Sequence, residues 1–154
     1  MLALDLGTQT GFACGQSNSE EAGTVVSGSW NLKPDRFQGG GMRFVHFQNR
    51  LDELHAATSI ALVYYEAVRR HMGTDAAHVY GGLLGTLQAW CERNTIPYDG
   101  VPVGTIKKFW CRTGNATKHA MIQQCRHRGF EVDDDNEADA LALLHWAFEN
   151  GAVK

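Results

Sequence analysis

Apolar residues fill positions 2–4 and 6, with one carboxylate, Asp5, set among them, and Gly7 follows. This run predicts a strand over 1–6. Residues 12–15 continue after a Gly-Thr turn, as the return strand of a hairpin. Residues 17–22 are polar and predict the next turn. Val25, Val26, Trp30 and Leu32, with Ser and Gly between them, predict a third strand over 23–32. Residues 33–41, with Pro34 and Gly39, Gly40 and Gly41, read as a loop. Met42, Phe44, Val45, Leu51, Leu54 and Ala57 fall near one side of a helix over 42–58. The continuous apolar run 60–65 predicts a short strand covered on both faces, ending at Glu66. A basic loop leads to a helix capped by Thr74 or Asp75 and running to about Asn94. A strand over 96–103 follows. Helices are then predicted near 103–112 and 117–128, a stub at 130–132, and a last helix from the acidic run near 133 to Gly151.

Strands that look antiparallel, then helix, strand, helix, strand and further helices define a mixed α/β domain with helices packed on a sheet. The 154 residues suit one domain spanning 1–154 and one core. The net charge of −3 gives no overall basic field, so any nucleic-acid contact must come from local patches. The four cysteines form no C-x-x-C pair and the seven histidines have no zinc-site spacing, which predicts free thiols in a reducing cytosol. The N-terminus enters a strand pattern directly, so no signal peptide is expected. No apolar run is long enough to span a bilayer.

Three carboxylates sit where charge is expensive. Asp5 lies inside the first strand, Glu66 directly after an apolar strand, and Asp139 within "EADALALL". Each alone has an ordinary explanation: a turn bond for Asp5, a solvated strand end for Glu66, a helix-dipole role for the acids near 135. Together they suggest a shared divalent cation, which would offset their desolvation. Magnesium favours a few carboxylates with phosphate oxygens, and two such ions suit phosphodiester hydrolysis.

The stretches "LALDLGTQTGFA", "ALVYYEAV", "VPVGTIKKFWCRTGNATKHAM" and "EADALALLHWA" resemble, in order and spacing, the motifs of the RuvC family of Holliday-junction resolvases, phage-encoded members in particular. The resemblance covers nearly the whole chain. It implies an RNase H-like fold with a five-stranded mixed sheet flanked by helices. It also implies a homodimer and Mg²⁺-dependent nicking of four-way DNA junctions, with Mn²⁺ as a substitute ion. A cytoplasmic setting, bacterial or phage-infected, goes with it. By position, Asp5, Glu66 and Asp139 would be metal ligands and Lys118 the lysine of the catalytic site.

Two departures from the family pattern stand out. An acid, or sometimes a histidine, usually precedes the last aspartate by three residues; here that place is Asn136, whose oxygen can ligate a cation but carries no charge. Asp135, one turn before Asp139, is the alternative ligand, whereas Glu137 points away. The family often has an aromatic wedge soon after the second acid; here "VRRHM" follows, so Arg69 and Arg70 would clamp phosphates and His71 or Met72 would stack. Lys107, Lys108 and Arg112, about a helical turn apart, are expected to form a basic stripe for DNA. Gly81, Gly82 and Gly85 mark the helix expected at the dimer contact.

Rival functions remain at this stage. "DLGTQT" also resembles the phosphate motif of actin-like ATPases, but the chain is too short for their two-domain clamp. The YqgF-like nucleases, which act on RNA, share the opening motif and the closing acid. A branched-DNA-binding protein with weakened catalysis is the third, suggested by Asn136.

Overall fold

A computed structural model describes residues 1–16, 25–70 and 73–151. The turn expected over 17–22 and the stacking residues His71 and Met72 lie outside the described residues. Five strands form one sheet: β1 (Leu2–Asp5), β2 (Gln9–Cys14), β3 (Val26–Asn31), β4 (Val63–Ala67) and β5 (Tyr98–Pro102). Their order is β3-β2-β1-β4-β5. The first three strands run antiparallel, whereas β4 lies parallel to β1 and β5 parallel to β4. The helices are α1 (Met42–Thr58), α2 (Thr74–Asn94), α3 (Val103–Cys111), α4 (Lys118–His127) and α5 (Asp135–Asn150). The predicted class and mixed sheet are therefore present. No described helix is long and apolar enough to cross a membrane.

Side chains alternate across a strand, and here each face has its own core. Leu2 and Leu4 join Phe47 and Leu51 of α1 and Leu83, Leu87 and Trp90 of α2. Ala3, Ala13 and Tyr64 join Ile106 and Trp110 of α3, Met121 and Cys125 of α4, and Leu141 and Leu144 of α5. A sheet covered on both faces explains why strands such as 2–4 are apolar at consecutive positions.

Several boundaries differ from the pattern. The apolar run from residue 60 includes three residues that precede β4, so the strand is shifted forward and Glu66 lies within it, only 7% exposed. Ile60 packs on the α1–α2 side, and Leu62, on the α5 side, already accepts from the Leu2 N–H at 2.9 Å just before the strand begins. Residues 130–132 form no strand. On α1 the buried side is Phe47 and Leu51, with Phe44 and Leu54 partly buried; Val45, expected on that side, is 43% exposed. The α2 cap is extended Gly73, not Thr74 or Asp75, and no side chain caps it. All four cysteines are free.

The tightest approach at a described glycine lies over β2. A Cβ added to Gly11 would stand 1.9 Å from the carbonyl oxygen of Asn136. Glycine here lets the first turn of α5 rest directly on the strand. On the other face, Gly82 lies beneath the ring of Phe44, where a Cβ would come within 2.5 Å. Gly82 therefore serves the α1–α2 contact inside this chain. Gly81 and Gly85 are exposed with open space before them.

Candidate active site

Strand parity and register bring the first two acids together. Asp5 shares the face of Ala3, and Glu66 the face of Tyr64; both look toward α5. Ala3 pairs with Tyr64 and Leu4 with Tyr65, so the next step of this parallel register sets Asp5 beside Glu66. The Tyr80 hydroxyl of α2 donates to the Glu66 carbonyl at 2.9 Å and accepts from the Val68 N–H at 3.2 Å. It thereby satisfies the backbone where β4 runs off the ladder. Helix α5 supplies Asp139. Carboxylate oxygens of Asp5, Glu66 and Asp139 all lie within 4.8 Å of one another.

Such a cluster cannot stay fully ionised without a partner. Burial, then the Glu66 charge and the hydrogen bond between the two carboxyls, hold Asp5 well above the usual range. Burial also raises Glu66, partly offset by its bond to Asp5 and by Lys107. Asp139 is pushed up to about 7 by burial first and by Glu66 second. One Asp139 oxygen, Oδ1, is buried without a hydrogen-bond partner. Three crowded carboxylates and an orphaned acceptor oxygen fit a hard divalent cation, which takes oxygen ligands and would replace the protons. Asp5, Glu66 and Asp139 are the residues that could hold it.

A pH dependence follows from these shifts. A carboxyl with a higher pKa in the fold than in the unfolded chain binds its proton more tightly when folded. Its contribution is intact below the unfolded value of about 4 and is lost as pH rises through the folded value. In EDTA the thermal midpoint should carry a falling component between pH 4 and about 7, from Asp139. Asp139→Asn should flatten that component, and Mg²⁺ at pH 8 should raise the midpoint of the parent alone. Superimposable pH profiles for parent and variant would remove Asp139 from the buried cluster.

The acidic run before Asp139 divides into separate tasks. Asp134 is the N-cap of α5: it accepts from the Glu137 N–H at 2.8 Å and from the Ser29 hydroxyl at 2.8 Å. Glu137 is 5% exposed and faces away from the cluster, as expected. Its carboxylate accepts from the Ser27 hydroxyl at 2.7 Å and from the Asp133 N–H at 2.9 Å, which fastens α5 to the edge strand. Asp135 lies outside the three-acid group and pairs with Lys118 at 2.5 Å. Asn136 occupies the second helical position, its carbonyl against Gly11.

The predicted basic residues differ in exposure. Lys107 is half-buried and close enough to the cluster to lower the pKa of both Glu66 and Asp139. Lys108 is exposed, and Arg112 has left the helix as its left-handed C-cap (φ 64°), so the expected helical spacing ends at Cys111. Arg69 and Arg70 are exposed on the segment that leaves β4. Lys118 opens α4, which Thr117 caps through the Ala120 N–H, and its side chain is 78% exposed. The inward position of Lys107 was not expected. Its place one residue after buried Ile106 and three before buried Trp110 was the available signal.

A mixed five-stranded sheet of this order, helices on both faces and acids on two adjacent parallel strands and a crossing helix make this an RNase H-like fold. Within that class it is the fold of RuvC. The chain overlays Thermus thermophilus RuvC in complex with Holliday junction substrate with a TM-score of 0.79 and 18% identity, over 97% of this chain and 94% of that one. A second Thermus thermophilus RuvC structure gives 0.76 and 20%, over 96% and 94%. The yeast mitochondrial Holliday junction resolvase gives 0.62 and 15%, over 92% and 74%. No family model matches the chain, and no curated protein matches it in sequence.

Proposed function

We propose that the chain is a cation-dependent endonuclease that nicks Holliday junctions and related branched DNA. The observation that carries this is the meeting of Asp5, Glu66 and Asp139 within 4.8 Å, at the ends of the central strands of a RuvC fold. When bound there, two magnesium ions, or manganese in their place, supply the charge that activates a water and stabilises the leaving oxygen. Asp5, held rigidly by a buried strand, would hold the cations together with Glu66 and Asp139. Asn136 adds a neutral oxygen, which leaves the site one negative charge short of an all-acid version. Lys107 moderates the cluster, and Arg69, Arg70, Lys108 and Arg112 take phosphates along the DNA arms.

Substrate choice tests this. A synthetic four-way junction, a linear duplex of the same sequence and a structured RNA are incubated with Mg²⁺. Nicking of the junction far ahead of the others is expected. Preferential cleavage of the RNA would make it an RNA-directed nuclease, and tight junction binding without cleavage would make it a binding protein.

Lys118 is proposed to release Asp135 and face the cleaved phosphate, offsetting charge that grows on its oxygens. Lys118→Ala should then lower kcat by about tenfold or more, with a smaller effect on junction affinity. Equal losses in both would make it an ordinary phosphate contact.

A homodimer is proposed because two symmetric cuts call for a two-fold enzyme. The exposed side of α2 at Gly81 and Gly85 is the candidate contact. Light scattering at micromolar concentration should give twice the 17.0 kDa chain mass. A monomer that persists with junction present would refute the dimer.

A further inference from the structure

A groove of about 440 Å³ opens past the ends of β1 and β4, on the α1–α2 side of the sheet. Its walls include Leu6, Thr8, Arg43, Val68, Val79 and Tyr80. Leu6 follows Asp5 in the chain, Val68 lies two residues past Glu66, and Tyr80 holds the Glu66 carbonyl. The groove and the acids therefore lie at the same end of β1 and β4, the groove toward α1 and α2 and the acids toward α5.

Its polar end is built from two donors. Arg43, in the first turn of α1, donates from Nη1 to Thr8 Oγ1 at 3.1 Å. Neither ion pair among the described residues involves Arg43, and Asp75, which also lines the groove, forms none with it. Most of the guanidinium fork is thus left for another acceptor, and the Thr8 hydroxyl, which accepts from Arg43, keeps its own hydrogen to donate. The turn that carries Thr8 is fixed. Thr10, fully buried, bonds Gly7 in both directions, at 2.7 and 3.3 Å, and the Leu32 N–H donates to the Thr8 carbonyl at 2.8 Å.

An unspent cationic fork at one end of an apolar trough suits a nucleotide: phosphate oxygens on the fork, sugar and base against Leu6, Val68 and Val79. A strand whose cleaved linkage lies at the acids can carry a neighbouring nucleotide across this end of the sheet. We infer that the groove seats the nucleotide next to the cleaved linkage, with Arg43 and Thr8 holding its phosphate. This rests on the branched-DNA nuclease function above.

The test alters the DNA as well as the protein. Each linkage within three of the cut is replaced in turn by a neutral methylphosphonate in the four-way junction. With the parent enzyme, one position other than the cut should raise KM about tenfold, the effect of losing a charge-assisted pair. Arg43→Ala should raise KM by a similar factor, leave kcat within twofold, and no longer respond to that position. Arg43→Lys, which keeps charge without the fork, should recover part of the loss. Thermal melting establishes that the variants are folded, and the DNA substitution leaves the protein intact. If Arg43→Ala responds to every position as the parent does, or loses kcat at unchanged KM, the groove is not this subsite. A parent protein that neither binds nor nicks the junction overturns the nuclease function itself, and the subsite with it.

Discussion

Asp5→Asn is expected to lower junction nicking by on the order of 10³-fold or more, to leave junction affinity within a few-fold, and to raise thermal stability. The three effects have one cause. Asp5 is the most crowded of the three acids, raised by burial and by Glu66, Asp139 and Asp135 around it. An amide of the same shape removes a buried charge and its repulsions, which stabilises the fold in the absence of cation. It also removes the negative charge that would hold the cation between β1 and α5. Phosphate contacts come from other residues, so DNA binding survives. Nicking assays, a binding titration in Ca²⁺ and a thermal melt read the three effects separately. Near-native nicking by Asp5→Asn would take Asp5 out of the site. The charge argument extends to Asn136: Asn136→Asp restores the fourth negative charge and should lower the Mg²⁺ concentration for half-maximal nicking. Should Asp135→Asn shift that titration while Asn136 variants do not, Asp135 is the fourth ligand.

Gly11→Ala is expected to be the most damaging single-methyl change in the fold. The new Cβ would fall 1.9 Å from the Asn136 oxygen and 2.3 Å from its carbonyl carbon, backbone atoms with no flexible tip to give way. Overpacking of this kind costs about 1–3 kcal/mol, occasionally more. In a chain of this size that lowers the thermal midpoint by several degrees. Activity should fall further than stability explains. Helix α5 must lift from β2 to admit the methyl, and Asp139 lies one turn beyond the contact. Displacements of about 1 Å in a reacting site can cost on the order of 10²-fold. Melting temperature and nicking rate, measured below the variant's transition, distinguish the two losses. A folded Gly11→Ala protein with the parent rate would show that α5 does not position Asp139 through this contact.

What the sequence made legible were the elements whose periodicity is strong. The hairpin, the central strands and the five described helices could be read, because two covered faces force apolar residues into recognisable runs. The polar break at Asp5 was visible for the same reason. Less legible was the start of the strand carrying Glu66, since Ile60 and Leu62 are buried just before it and look like strand residues in a pattern. That Asp5 stands beside Glu66 depends on β1 pairing with β4, some sixty residues away, which no local pattern encodes. The cost of three carboxylates in apolar sequence suggested that they meet at a cation, and the resemblance to RuvC implied their roles as ligands. The division of labour in "DDDNEAD" was not legible beyond a helix-dipole role, because the partners of Asp134 and Glu137 include Ser29 and Ser27 on a strand distant in the chain. Arg43 left no signal, because a lone arginine on an amphipathic helix looks like solvated surface until the β1–β2 turn is seen against it.

The most direct measurement is a strand-by-strand map of cuts in a 5′-labelled four-way junction, with Mg²⁺ and with EDTA. Paired nicks at symmetry-related positions on two opposing strands, present in Mg²⁺ and absent in EDTA, are expected. An intact junction in Mg²⁺ and in Mn²⁺ at saturating protein, or cuts that persist in EDTA, would contradict a cation-dependent junction nuclease built on Asp5, Glu66 and Asp139.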